Sequence, residues 1–264
     1  MIISKNPDNS VFGHFHDLPV NSTREIHHRF EKHVHLSKCE LLYFLQGKAS
    51  FTIEGVTREL KPGDFAFVPR GKYHCIHVDK GIDYERVVME FDFNSIPFSS
   101  SLDLDSLAGF YQASDVTITD YLYEIEQKIG VYSPEEFQAY FYATISKILY
   151  IFSSKEKNRN TRKEDLLSSI IAYLNDYVYA DIKMEDIAAQ FSLPSASINR
   201  YFKSHMDVSL HQYIKNMKMQ KAYNLLLSNK PSEEVAVTLG YQDYSTFYRS
   251  FVSTFSISPK QFKK

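Results

Sequence analysis

The 264-residue chain has no tryptophan, only two cysteines, nine glycines and nine prolines. Two cysteines do not make a disulfide framework, so stability must come from ordinary packed cores. No stretch approaches the ~20 apolar residues that a membrane span needs, and no apolar run near the start has the form of a signal peptide. The expectation is a soluble, cytoplasmic protein with no membrane partner. A Gly-rich phosphate loop and a credible nucleophilic triad are also missing, which speaks against an enzyme. Charge of either sign is not in excess: the net is −2, and whole-chain charge says little about nucleic acid. What is present is 44% hydrophobic residues, enough for two cores of ordinary size, and 15% aromatic residues, which without tryptophan predict cores rich in Tyr and Phe.

The last hundred residues repeat one pattern. Ile187 and Ala188 recur as Val235 and Ala236, and Ile198, Arg200, Phe202, Ser209 and Gln212 recur as Phe247, Arg249, Phe251, Ser258 and Gln261 after a turn one residue longer. Each copy reads as two short helices joined by a tight turn, a unit whose second helix can enter the major groove of DNA. At 100 degrees per residue, Ile198, Tyr201, Phe202 and His205 fall on one side of the first such helix. Ser195, Ala196, Asn199, Arg200 and Lys203 fall on the other. In the second copy Phe247 and Phe251 face inward, and Tyr244, Ser245, Tyr248, Arg249 and Val252 form the open face. Arg reads guanine bidentately as Asn reads adenine, so these faces are the candidate DNA readers; Tyr244 and Tyr248 also suit a simple surface-covering role.

Between the copies a helical pattern runs from about Leu210 to Ser228, with Tyr213, Ile214, Met217, Ala222, Leu225 and Leu226 inward. A helix of about 19 residues is roughly 28 Å long, close to the ~34 Å between successive major-groove faces on one side of B-DNA. Lys215, Lys218 and Lys221 lie along this connector as candidate phosphate contacts. Residues 161–264 carry net +3 and the first 160 residues net −5, so only the C-terminal part is basic.

Ala236, Gly240-Tyr241, Phe247, Arg249, Phe251 and Ser258-Pro259 make residues 165–264 similar to the DNA-binding domain of the AraC/XylS transcription regulators. The chain departs from that pattern at Ser192, Asp207 and Ser256, where the family usually has glycine, at Leu210, where proline is common, and at Lys218, usually arginine. The resemblance implies an all-α double helix-turn-helix domain, promoter DNA and RNA polymerase as partners, and activation as the more usual output.

From Arg29 to Phe93 the pattern changes to short strands at Leu41–Leu45, Ala49–Ile53, Phe65–Val68 and Arg86–Phe93. Turns fall at Gln46-Gly47-Lys48, Glu54-Gly55 and Lys61-Pro62-Gly63-Asp64. That reads as a small β-barrel or jelly roll. Within it, His33-x-His35-x4-Glu40-x6-Gly47 and Gly63-x5-Pro69-x-Gly71-x2-His74 resemble the two motifs of the cupin superfamily. In metal-binding cupins three imidazoles and one carboxylate converge in the barrel, so the resemblance implies His33, His35, Glu40 and His74 as ligands of a divalent transition metal. His33 and His35, two apart on an extended segment, can both face the lumen, whereas Cys39 and Cys75, each one residue from a candidate ligand, point the other way. The resemblance equally allows a sensor that binds an organic effector and no metal. His14 and His16 lie on an N-terminal arm, either capping the pocket or simply solvated; His27, His28 and His77 read as surface or packing residues.

Residues 116–129 and 134–152 read as amphipathic helices, the second opened by Ser133-Pro134-Glu135-Glu136. Their stripes include Leu122, Ile125, Ile129, Phe141, Ile145 and Ile148. Packing on their own barrel is the commonest reason for such stripes; the family resemblance implies a homodimer interface there. Residues 153–164 read as a linker. The expected architecture is thus α+β in two domains: a cupin-like effector-sensing barrel over residues 1–115, a helical dimerisation segment over 116–152, and the double helix-turn-helix over 165–264. The expected function is a sequence-specific transcription regulator controlled by a small-molecule effector. The alternative is a metal-dependent cupin enzyme with an appended DNA-binding domain.

Overall fold

The computed structural model describes residues 2–5, 7–8, 10–17, 32–79, 83–97, 99–112, 116–154 and 165–262. The chain divides into two compact units, Met1–Asn160 and Thr161–Lys264.

In the first unit the strands are β1 (Ile2–Lys5), β2 (Val11–Asp17), β3 (Cys39–Gln46), β4 (Ala49–Ile53), β5 (Val56–Leu60), β6 (Asp64–Val68), β7 (His74–Val78), β8 (Tyr84–Phe91) and β9 (Gly109–Gln112). They form a six-stranded sheet in the order β1-β2-β8-β3-β6-β9 and a three-stranded sheet in the order β5-β4-β7, with antiparallel pairing throughout. The helices are α1 (Leu104–Leu107), α2 (Val116–Lys128) and α3 (Pro134–Ser154).

Strand period explains the layering. Successive residues of β3 point to opposite faces, and both faces are covered, so the strand reads as a nearly unbroken apolar run. Leu42 and Phe44 join Phe51, Ile53, Leu60, Ala66, Val68, Ile76 and Tyr84 in a core between the two sheets. Leu41 and Tyr43 join Phe65, Phe67, Val87, Met89 and Phe91 in a core covered by α2 and α3. Ser133 opens α3 with a capping box: its amide donates to Glu136 Oε2 at 2.9 Å, and its hydroxyl accepts from the Glu136 amide at 3.3 Å.

The helical stripes pack on the sheet of their own chain. Leu122, Ile125, Phe141, Ile145 and Ile148 are buried in the core beneath the large sheet, and Ile129 packs half-buried against it. Of the two roles expected for these six residues, the structure shows packing on the sheet of their own chain. For the same reason residues 116–152 belong to the sensor unit and do not form a separate segment. The N-terminal arm is also corrected: β2 pairs with β8 along Val11–Asp17. His14 faces the helices rather than the space between the sheets, with Nε2 2.7 Å from Glu85 Oε1 and Nδ1 3.1 Å from Glu126 Oε2. The side chain of His16, and His27 and His28 altogether, lie outside the described residues, as do 155–164 of the expected linker.

The second unit contains α4 (Leu166–Asp176), α5 (Met184–Phe191), α6 (Ser195–Met206), α7 (Leu210–Leu227), α8 (Ser232–Thr238), α9 (Tyr244–Phe255) and α10 (Pro259–Phe262). The two helix-turn-helix units are α5–α6 and α8–α9, and α7 joins them. Leu210, Tyr213, Met217, Met219, Ala222, Tyr223 and Leu226 are all buried, so α7 is packed on several sides, as a helix between two halves must be. The recurring Ser and Gln are caps: the hydroxyls of Ser209 and Ser258 each accept the amide of the Gln three residues on, at 3.2 Å. Among the described residues no helix is long and apolar enough to cross a membrane.

Candidate nucleic-acid interface and candidate metal centre

Helix α6 buries Ile198, Phe202 and Met206 and leaves Ala196, Arg200 and Lys203 exposed, with Ser195 and Asn199 half-buried. His205, expected on the inner side, is exposed, and Met206 takes the buried place. Helix α9 buries Phe247 and Phe251 and exposes Ser245, Thr246, Tyr248 and Arg249. Tyr244 is half-buried against the core, and its hydroxyl donates to Ser232 Oγ at 3.1 Å, which ties α9 to α8 and favours the covering role for this ring. Asp243 caps α9, accepting from the Thr246 amide at 2.8 Å and from its hydroxyl at 2.9 Å; Thr246 Oγ1 in turn accepts from Arg249 at 3.4 Å. These contacts link the Arg249 guanidinium to the helix cap, and the sequence pattern did not single out Asp243 or Thr246.

The three missing glycines leave the turns intact. Ser192, Asp207 and Ser256 adopt φ of 51°, 55° and 59°, the left-handed conformation that glycine takes without steric cost. Leu210 is the first residue of α7, where proline would be tolerated, and its side chain is buried.

Lys218 requires a correction. Its side chain is 8% exposed, its Nζ donates to the Ala180 carbonyl at 2.9 Å, and it sits 5.4 Å from the centre of the Tyr241 ring. Position 218 faces the interior of a helix packed on several sides, so it does not reach phosphate. Lys215 and Lys221 are half-buried, and Lys215 Nζ donates to Ser253 Oγ at 3.2 Å.

In the sensor unit, His33, His35, Glu40 and His74 come together, with one ligand atom of each lying within 4.8 Å of the others. Glu40 projects from β3 into the space between the sheets, and His74 begins β7. His33 and His74 form an isolated antiparallel bridge, each amide donating to the other's carbonyl at 3.0 and 2.9 Å, and the Gly71 amide holds the His35 carbonyl at 2.7 Å. Residues 33–35 are thereby fixed beside β7. Glu40 Oε2 is 3.3 Å from His35 Nε2 and 3.2 Å from His74 Nε2.

Burial alone would raise the Glu40 carboxyl, but the two imidazoles hold it well below the usual carboxylate range. Burial would likewise lower His74; hydrogen bonding and charge from Glu40 win, and its pKa is raised, with Glu90 adding to the effect. Glu90 is opposite Glu40 on the neighbouring strand and 3.5 Å from Lys38. Sequence spacing gave no sign of Glu90, because the contact is made across strands.

The donor set fits a transition metal on two counts. Three imidazoles and one carboxylate suit Zn, Fe, Mn or Ni. In addition, His74 Nδ1 is 3.0 Å from the Lys72 carbonyl, which only accepts, so Nδ1 carries a proton and Nε2 is the nitrogen turned toward Glu40, the one that would ligate a metal after giving up its proton. Cys39 is excluded: it is buried on the helix side, where desolvation pushes its thiol up to about 12. Cys75 is half-buried and outside the cluster.

A helical domain with two helix-turn-helix readers, joined in one chain to a β-sandwich sensor, defines a DNA-binding regulator. The chain belongs to the AraC family of transcription regulators: residues 17–173 match the AraC-like ligand binding domain and residues 187–264 a helix-turn-helix domain. It is 21% identical to the HTH-type transcriptional activator RhaS of Mannheimia succiniciproducens over 244 residues, 89% of each chain. It is 26% identical to the activator RhaR of the same organism over 124 residues, 46% of this chain and 45% of the relative. Among solved structures it is similar to ToxT from Vibrio cholerae, 13% identical over 98% of both chains with a TM-score of 0.39. The family is one of regulators, which sets aside the alternative of a metal-dependent enzyme.

Proposed function

We propose that the chain is a transcriptional activator that reads two adjacent major-groove segments of promoter DNA in the cytoplasm, through Ala196, Asn199, Arg200 and Lys203 of α6 and Ser245, Tyr248 and Arg249 of α9, under control of a small-molecule effector in the sensor unit. The observation that carries this reading is the pair of exposed, arginine-bearing helix faces at equivalent positions of one domain. The resemblance to RhaS and RhaR supports activation as the output. Self-association and contact with RNA polymerase rest on the family resemblance alone. Control requires an effector with different affinity for two states of the regulator.

We further propose that His33, His35, Glu40 and His74 hold a divalent transition metal. A bound ion would supply a Lewis-acidic centre in the sensor for an effector's oxygen atoms. Glu40 would contribute the charge, and the Lys72 carbonyl would keep His74 in the ligating tautomer.

Two experiments test these readings. DNA fragments cross-linked to the chain in its host are sequenced, and transcription from the captured promoters is compared with and without the gene; activation predicts a fall on deletion, and a rise would make it a repressor. For the metal, elemental analysis of the purified chain should find stoichiometric metal that His74→Ala removes. Equal metal content in the two proteins would rule the site out.

A further inference from the structure

The turn at Ala180–Asp181, between α4 and α5, is gripped from the other half of the DNA-binding domain at three points. Lys218 of α7 donates to the Ala180 carbonyl at 2.9 Å. Gly240, in the turn between α8 and α9, presses against the same backbone so closely that a Cβ there would stand 2.7 Å from the Ala180 carbonyl carbon and 2.8 Å from the Asp181 nitrogen. Gln242 Nε2 donates to Asp181 Oδ2 at 3.0 Å. One lysine thus joins the connector, the lead-in to the first reader and, through the Tyr241 ring at 5.4 Å, the turn of the second.

A surface lysine would gain little from any of these contacts. Here the ammonium is desolvated, which pulls its pKa below the ordinary lysine range, with Asp181 opposing the shift. A buried ammonium donating to a backbone carbonyl, with an aromatic face over the same cation, is a directional joint, and removing the lysine leaves that carbonyl without the donor. A purely apolar contact would hold the halves together with less control of their angle.

We infer that Lys218 is a positioning residue of DNA recognition, fixing the mutual orientation of α6 and α9 so that the chain accepts two half-sites at one separation. The inference rests on the proposed two-reader function and deepens it, because spacing selectivity becomes a property of a residue that touches no DNA.

The test uses the full chain and a duplex enriched by the wild type from a randomised pool. Further duplexes carry the two half-sites moved apart or together by one to three base pairs, and another carries a single half-site. Lys218→Met should weaken binding to the enriched spacing by about tenfold. It should also flatten the dependence on spacing, while the salt slope and the single half-site affinity stay as in the wild type. Lys218→Arg should restore the spacing preference. If Lys218→Met instead weakens every duplex alike and lowers the salt slope by about one unit, Lys218 is a phosphate contact and the inference is wrong. Should Lys218→Met fail to fold by circular dichroism, Gln242→Ala severs the neighbouring contact from the exposed side; a reduced spacing preference supports the joint, and an unchanged one refutes it. A wild type that enriches nothing from the pool would refute the two-reader function itself, a result distinct from any behaviour of the variants.

Discussion

The two helix-turn-helix copies place Ser192 and Gly240 at the same point of the same turn, with φ of 51° and 69°. Ser192 is exposed, whereas Gly240 lies against the backbone of Ala180 and Asp181. The turn shape alone does not demand glycine; a backbone pressed against it does. The helices that follow differ as well. Asp243 caps α9 through the Thr246 amide, whereas α6 follows Pro194 with no side-chain cap. The second copy is built into the domain, and its guanidinium is linked to the cap of its own helix.

This contrast can be broken most severely at its glycine. Gly240→Ala combines a left-handed backbone with backbone overlap and should cost about 2 to 4 kcal/mol in chemical denaturation. A cost below that of an ordinary exposed substitution would mean that the contact with residues 180–181 is not made. Next in size, Arg249→Ala should cost about 1 to 3 kcal/mol on the enriched duplex and relax preference at one base pair. An equal loss on scrambled duplex would move Arg249 to the phosphate contacts. Arg200→Ala, on the reader whose arginine has no such support from a capping residue, should cost less than Arg249→Ala, and the reverse order would contradict the account of the two copies.

A smaller effect belongs to Asp243. Hydrogen bonds from the Thr246 backbone and side chain lower its carboxyl below the ordinary value. Its contribution is therefore complete above the ordinary carboxylate pKa and lost as pH falls through the lowered folded value. Asp243→Ala should lower the melting temperature at neutral pH, and the gap from the wild type should close on acidification. A gap that stays constant with pH would show that the cap bond is not formed. Smallest, and opposite in sign to the glycine change, Ser192→Gly should stabilise by up to ~1 kcal/mol by relieving the left-handed serine. A loss of stability there would show that the serine side chain makes an unrecognised contact.

The double helix-turn-helix was legible because its period is local: Ile198 with Phe202 and Phe247 with Phe251 mark the inner faces within a few residues of chain. The four-residue cluster was legible through the resemblance of two motifs to those of the cupins. The strands Val11–Asp17, Val56–Leu60 and His74–Val78 escaped because polar and histidine residues interrupt their apolar alternation. Amphipathicity announced that Ile125 and Phe141 would be buried but not against what, and the large sheet was the answer. Lys218 was illegible for a deeper reason: nothing local separates a solvated helical lysine from one whose acceptor lies 38 residues away.

The central claim is that one chain reads two half-sites in sequence. Selection of the purified wild type against a randomised duplex pool tests it most directly. The predicted result is a consensus of two unlike half-sites about 10 to 10.5 base pairs apart, centre to centre. Enrichment of nothing, or of a single half-site indifferent to its surroundings, would contradict it.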